Sequence, residues 1–267
     1  MSKVVLITGA SSGIGKNVSL YLTKKGFTVY GTCRNPEKYD VNEFSLLKCD
    51  INSNEEIKKT VEFIVKKENK IDILINNAGI GITGPIEETT ELEIKSAFQT
   101  NLFGPINIIK ACIPHMRKNH KGLIINITSV LGYFGIPYRG IYCSTKSSLE
   151  IVGEVLSMEL KKFNIRVVNI APGDFKTDIV SRRIDASVSK ESLYKNEYDR
   201  SMQSANEHVK NAENPEIISH LIFKIINSKN PKIHYKVGQF IQKFSIILKF
   251  ILPDRLFEKI LLKYSKN

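Results

Sequence analysis

The chain has 267 residues, 42% hydrophobic and 25% charged, a balance ordinary for a soluble globular protein and enough to bury one substantial core. Its formal net charge of +12 is compatible with an acidic partner, a membrane surface or nucleic acid, but the lysines are spread along the chain beside asparagine and isoleucine, as composition bias would place them. No zinc-type spacing or aromatic–basic pattern supports nucleic-acid recognition, and Cys33, Cys49, Cys112 and Cys143 show no paired spacing for a metal or disulfides.

The first apolar run, residues 4–7, reads as a strand buried on both faces. It enters Thr8-Gly-Ala-Ser-Ser-Gly-Ile-Gly15, and a helical pattern then covers 14–25, with Ile14, Val18, Tyr21 and Leu22 on one face. A strand, a tight turn of small residues and a helix N-terminus form the setting in which backbone amides meet a pyrophosphate. The spacing Gly9, Gly13, Gly15 departs from the common G-x-G-x-x-G pattern. A second strand over 27–32 runs into Arg34, with no carboxylate in 31–35. An acidic residue there would bind a ribose 2′-hydroxyl, whereas an arginine accommodates a 2′-phosphate, so the expectation is NADP(H) over NAD(H). A third strand, 45–49, ends at Asp50, placed either to reach an adenine edge or to cap the helix over 53–68.

Further strands are expected at 71–75, 122–128 and 165–170, and helices at 91–118 and 138–163. Alternating strands and helices, with continuous apolar strands, imply an α/β parallel doubly wound sheet that binds ligands beyond the carboxyl ends of its strands. Within the last helix Tyr142 and Lys146 are four residues apart, hence on one face. A free tyrosine titrates near pH ~10; an ammonium held beside it favours the phenolate and makes it a usable proton donor and acceptor.

After Thr177 the texture changes. Residues 178–211 are polar and charged and read as one or two short amphipathic helices, the expected substrate lid. Regular pattern returns over 215–226, with a last strand near 233–237. The tail, 238–267, crowds Phe240, Ile241, Phe244, Ile246, Ile247 and Leu248 before Pro253, and a second helical pattern follows among lysines. It is too short and too interrupted by lysine to span a bilayer, leaving three places for it: over the substrate cleft, against a partner subunit, or in a membrane interface.

Taken in order, these motifs resemble the short-chain dehydrogenase/reductase family, in its compact single-domain branch, over nearly the whole chain. The resemblance implies a Rossmann-like catalytic domain over 1–237, including the lid, followed by a helical tail. It implies cofactor contacts from Gly9, Ser11, Ser12, Gly13, Ile14 and Gly15, from Asp50 and Ile51, and from Asn77, Ala78 and Gly79 of the segment after the fourth strand. Pro172, Gly173 and Thr177 match the segment that holds the nicotinamide carboxamide. Asn101, Ser129, Tyr142 and Lys146 match the catalytic asparagine, serine, tyrosine and lysine: Tyr142 the proton donor, Lys146 lowering its pKa and holding the nicotinamide ribose, Ser129 positioning the carbonyl, Asn101 linking Lys146 to solvent through water.

The implied activity is an NADP(H)-dependent interconversion of a ketone or aldehyde and an alcohol. Tails similar to Leu252-Pro-Asp-Arg-Leu-Phe257 in the family point to apolar, steroid-like, retinoid-like or long-chain substrates. A non-catalytic cofactor sensor of the same fold is the alternative. The resemblance implies a homodimer or homotetramer, paired through the long helices over 91–118 and 138–163. Reduced thiols, and only three residues before the first strand, lead to an expectation of the cytoplasm, with membrane contact through the tail left open.

Overall fold

A computed structural model describes residues 2–176, 183–186, 188–210 and 212–264. Thr177 and the first part of the expected lid lie outside the described residues.

Strand β1 (Val4–Thr8) is buried along its length, and its side chains alternate between two cores. Val5 and Ile7 face α1 (Gly13–Lys24) and α7 (Glu216–Asn227), where Val18, Leu22, Ile218 and Ile222 meet them. Val4 and Leu6 face α2 (Asn54–Glu68) and α4 (Gly104–Lys118), against Ile57, Ile64, Ile108 and Cys112. The other principal strands are β2 (Thr28–Cys33), β3 (Ser45–Lys48), β4 (Ile73–Asn76), β6 (Gly122–Ile127), β7 (Ile165–Pro172) and β9 (His234–Val237). They form one seven-stranded sheet of order β3-β2-β1-β4-β6-β7-β9, parallel throughout. The chain winds outward from β1 in both directions, so the strand order switches between β1 and β4, where such sheets bind ligands.

Local chemistry accounts for the boundaries. The N-cap of α2 is Ser53, whose hydroxyl accepts from the Glu56 amide at 3.3 Å, with Glu55 and Glu56 in the first turn and Lys66 and Lys67 in the last. Asp50 is therefore not the cap. Its carboxylate accepts instead from the Asn52 amide at 2.9 Å, and its own amide donates to Glu56 at 2.7 Å.

The single helix expected over 91–118 is three pieces: α3 (Glu91–Phe98), a π-helical turn over Gln99–Phe103, and α4. The Gly104 amide bonds the Gln99 carbonyl five residues back, and Pro105 has no N–H for the Asn101 carbonyl four residues back. Helix α5 (Gly140–Glu159) begins two residues later than expected because Tyr138 takes a left-handed conformation, φ 62°. It ends at Glu159, and a 3₁₀ turn over Lys161–Phe163 follows.

The segment expected as a lid is tied to the body by a strand pair that the pattern did not predict, β5 (Ile82–Thr83) with β8 (Ile184–Asp185), and its described part carries one helix, α6 (Lys195–Lys210). The tail forms α8 (Phe240–Ile251) and α9 (Asp254–Tyr264), broken at Pro253. Among the described residues no helix is long and apolar enough to cross a membrane.

Candidate active site

The glycine turn is held in shape from behind. Thr8 Oγ1 accepts from the Asn77 and Ala78 amides, both at 3.0 Å, and the Asn77 side-chain amide donates to the Thr8 and Gly9 carbonyls at 2.9 and 3.0 Å. Both side-chain N–H groups of Asn77 are thus committed to the turn, so its side chain braces the glycine loop. Gly9 sits at φ 68°, and a Cβ on Gly15 would lie 2.3 Å from the Gly9 carbonyl oxygen and 2.4 Å from Asn77 Nδ2.

Helix α1 has no side-chain cap from Ser12 and no acidic residue in its first turn. The Gly13, Ile14 and Gly15 amides, which have no intrahelical acceptor at a helix start, remain available to an anion. Ser11 is buried beneath them. These residues fit a dinucleotide pyrophosphate. Arg34 is exposed directly after β2, Asp50 is half-buried past the end of β3, and Ile51 is buried against Gly104. Pro172 closes β7, and Gly173 and Asp174 follow it; the Gly173 amide donates to Val237.

Ser129 leaves the end of β6 and accepts from the Leu131 amide at 3.2 Å. Tyr142 and Lys146 share the buried face of α5, the lysine Nζ 5.9 Å from the tyrosine ring centre. The Lys146 ammonium donates to the Ile127 carbonyl at 3.0 Å. Asn101 is buried in the π turn. Its side chain accepts from the Ile80 amide at 2.8 Å and donates to the Ile80 carbonyl at 2.9 Å and to Thr145 Oγ1 at 3.1 Å. Asn101 and Lys146 converge on Gly79, where a Cβ would stand 3.2 Å from Asn101 Oδ1 and 3.5 Å from Lys146 Nζ. The four residues singled out by the sequence therefore lie together at the carboxyl ends of β4 and β6.

Burial dominates the titration of this pair. It pushes the Tyr142 phenol up to about 12, while the Ser129 hydrogen bond and the Arg139 charge act in the opposite direction. The lowered tyrosine pKa that the spacing implied is not realised, because burial outweighs the groups that favour the phenolate. Burial also lowers Lys146 to about 8, against the opposing charge of Glu150. The unfolded chain therefore holds more protons at Lys146 between about pH 8 and 10.5, and stability gained through this group rises with pH in that window. Relative to Lys146→Met, the native chain is expected to gain about 1.5 kcal/mol in urea unfolding between pH 8 and 9.5. Equal pH dependence of the two chains would exclude a titrating Lys146.

Sequence reasoning missed the support behind Lys146. Asn76, Asn126, Asn169 and His234 are in register across four adjacent strands. The asparagine side chains bond in a line, Asn76 to Asn126 at 2.9 Å and Asn126 to Asn169 at 3.0 Å. Asn169 donates to the buried Glu150 carboxylate at 2.9 Å, and Thr128 donates to its other oxygen. His234 spans Glu150 and Glu154, at 3.1 and 3.2 Å. Asparagines inside two apolar strands were the available signal. Arg139, three residues before Tyr142 and largely buried with Asp174 and Arg183 within Coulombic range, gave no sequence signal at all.

The order of strands, the altered glycine turn and the grouped serine, tyrosine and lysine are features of a single known architecture. The model of the family described as short chain dehydrogenase matches residues 3–187. This chain belongs to the short-chain dehydrogenase/reductase family. A 3-ketodihydrosphingosine reductase from Bacteroides thetaiotaomicron is 37% identical over 257 residues, covering 96% of this chain and 95% of that protein. Among solved structures, a short-chain dehydrogenase from Streptomyces avermitilis superposes with a TM-score of 0.83 at 25% identity, over 100% of this chain and 97% of that one. ElxO with NADP bound superposes with a TM-score of 0.73 at 27% identity, over 89% of this chain and 97% of that one. As a short-chain dehydrogenase/reductase the protein is an oxidoreductase with a nicotinamide-nucleotide fold.

Proposed function

We propose that this protein reduces the ketone or aldehyde of an apolar, long-chain or steroid-like or retinoid-like substrate with NADPH, or runs the reverse oxidation. The observation that carries the reading is the convergence of Ser129, Tyr142, Lys146 and Asn101 at the carboxyl ends of the strands, next to a helix N-terminus open to an anion. The nicotinamide cofactor supplies the hydride; the chain supplies proton transfer and orientation. Tyr142 donates its proton to the carbonyl oxygen. Ser129, bonded to that hydroxyl, orients the carbonyl. Lys146 provides positive charge beneath the site, and the Glu150 brace keeps that charge in place. Asn101 fixes the Ile80 loop and Thr145 on α5, a positioning role in addition to the proton link that the family resemblance implies.

Arg34 supports NADPH over NADH, because a guanidinium pairs with a 2′-phosphate in a charge-assisted contact. Arg34→Asp is expected to raise KM for NADPH about tenfold or more while improving KM for NADH. Equal NADPH and NADH efficiency in both chains would discard the Arg34 argument and leave the enzyme standing.

The reading of the substrate as apolar draws support from the 3-ketodihydrosphingosine reductase likeness and from the tail, which borders the site. Exposed Ile151, Val155 and Met158 on α5 and Phe103 before α4 favour a homodimer or homotetramer through these helices. Four buried thiols fit a reducing compartment such as the cytoplasm. We take 1–237 as the catalytic unit and the tail as its appendage.

A further inference from the structure

Helix α8 packs inward on one face and leaves an apolar face exposed. Inward, Gln242 donates to the Asp174 carboxylate at 2.6 Å and accepts from the Asp174 amide at 3.1 Å, and Ile246 is fully buried beside them. Helix α9 is pinned by Phe257, buried edge-on against Phe134 at 5.6 Å, and the turn between the helices by Lys249 to Asp254 at 3.1 Å. These contacts set the tail beside the segments that follow Ser129 and Gly173, at the rim of the active site.

Outward, Phe240, Phe244, Ile247 and Ile251 are spaced i, i+4, i+7, i+11 and form one stripe, 73, 41, 48 and 71% exposed. Phe240 and Phe244 stack at 5.5 Å and 13°. Leu256 and Ile260 continue apolar exposure onto α9. A contiguous exposed patch of this kind requires a partner.

The surroundings say which. Helix α8 contains Lys243 and Lys249 and no acidic residue, and α9 adds Arg255, Lys259 and Lys263 against Asp254 and Glu258. An apolar stripe flanked by excess cations, on helices of 12 and 11 residues, matches the headgroup–acyl boundary of an anionic bilayer. A second protein copy carrying the same cationic rim would repel it. We infer that the outward face of α8 and α9 docks the protein on an anionic lipid surface, with the active-site rim against the lipid. The docking surface goes beyond the reductase reading; only its consequence, entry of substrate from the lipid phase, rests on that reading.

The test is sedimentation of the full chain with phosphatidylcholine vesicles, with and without phosphatidylglycerol. The native chain is expected to sediment with the mixed vesicles, less with phosphatidylcholine alone and less at raised salt. Phe240→Ser, Phe244→Ser and Ile251→Ser together are expected to cut the partition coefficient at least about tenfold with an unchanged melting temperature. Lys259→Glu with Lys263→Glu, which touches no core residue, is expected to remove the preference for phosphatidylglycerol. No sedimentation of the native chain, or equal sedimentation of the serine variant, overturns the inference. So does a serine variant that keeps its vesicle binding and loses mass in light scattering, since the stripe would then cover a second copy. Sedimentation needs no turnover, so it stands or falls separately from the reductase activity.

Discussion

Replacing Tyr142 by phenylalanine is expected to lower kcat/KM for NADPH-dependent carbonyl reduction by about 10²–10⁴-fold, the range of a positioned general acid, with NADPH affinity nearly unchanged. The substitution removes one hydroxyl from a side chain packed against Ile82 and Ala97, so the ring and the fold are retained. The lost group is the one bonded to Ser129, and nothing else nearby replaces it: Cys143 is buried with a raised thiol pKa, and Lys146 is engaged with the Ile127 carbonyl. Steady-state NADPH oxidation with a panel of apolar ketones, beside a cofactor-binding titration, measures both quantities. Turnover that survives the change would remove Tyr142 from the chemistry. Cofactor binding without turnover in the native chain, across the whole panel, would instead favour the cofactor-sensing alternative.

Gly15→Ala is expected to be damaging by a different route. The added methyl would meet the Gly9 carbonyl oxygen at 2.3 Å and Asn77 Nδ2 at 2.4 Å, and neither can withdraw, because Asn77 is tied to Thr8 and Gly9 and the Thr8 hydroxyl to Asn77 and Ala78. Helix α1 must move away from the sheet, which displaces the amides that would meet the pyrophosphate. Overpacking of this kind costs about 1–3 kcal/mol of stability, read by urea unfolding, and a displaced anion site is expected to weaken NADPH binding at least about tenfold. Gly135→Ala is the control: no atom lies within 4 Å of its Cβ position, and both quantities should stay within error of the native chain. Equal behaviour of the two variants would mean that the packing behind the turn does not set cofactor affinity.

Both expectations begin from residues that the sequence singles out, but their force comes from contacts it leaves open. Tyr142, Lys146 and the glycine turn were legible because their chemistry is written in short spacings, whereas Ser129 was named through the family resemblance. A helical turn places i and i+4 together, and a strand that ends in small residues before a helix announces a tight turn. Asp50 was ambiguous in the sequence because a carboxylate there could reach an adenine edge or cap the next helix; the cap is Ser53, whose hydroxyl reaches the Glu56 amide. Asn101 was read as lying inside one long helix. The π turn around it follows from the Pro105 position together with hydrogen bonds to Ile80 and Thr145, and the latter are long-range.

The amino-acid order by itself determined the doubly wound parallel sheet and the strand–turn–helix of the glycine motif. Apolar periodicity, cap chemistry and glycine spacing act over a few residues and need no partner from elsewhere. Only the tertiary structure decided which buried groups meet. The line Asn76–Asn126–Asn169 to Glu150 and His234 exists because parallel register sets residues from four strands side by side. Which face of α8 packs inward was not legible locally, because its apolar residues are spread around much of the helix. Docking of Gln242 on Asp174 and of Ile246 in the core chose the inner one and left Phe240, Phe244, Ile247 and Ile251 to the outside. A partner's distance along the chain carries no local signal, and register and docking supply it only once the whole sheet is formed.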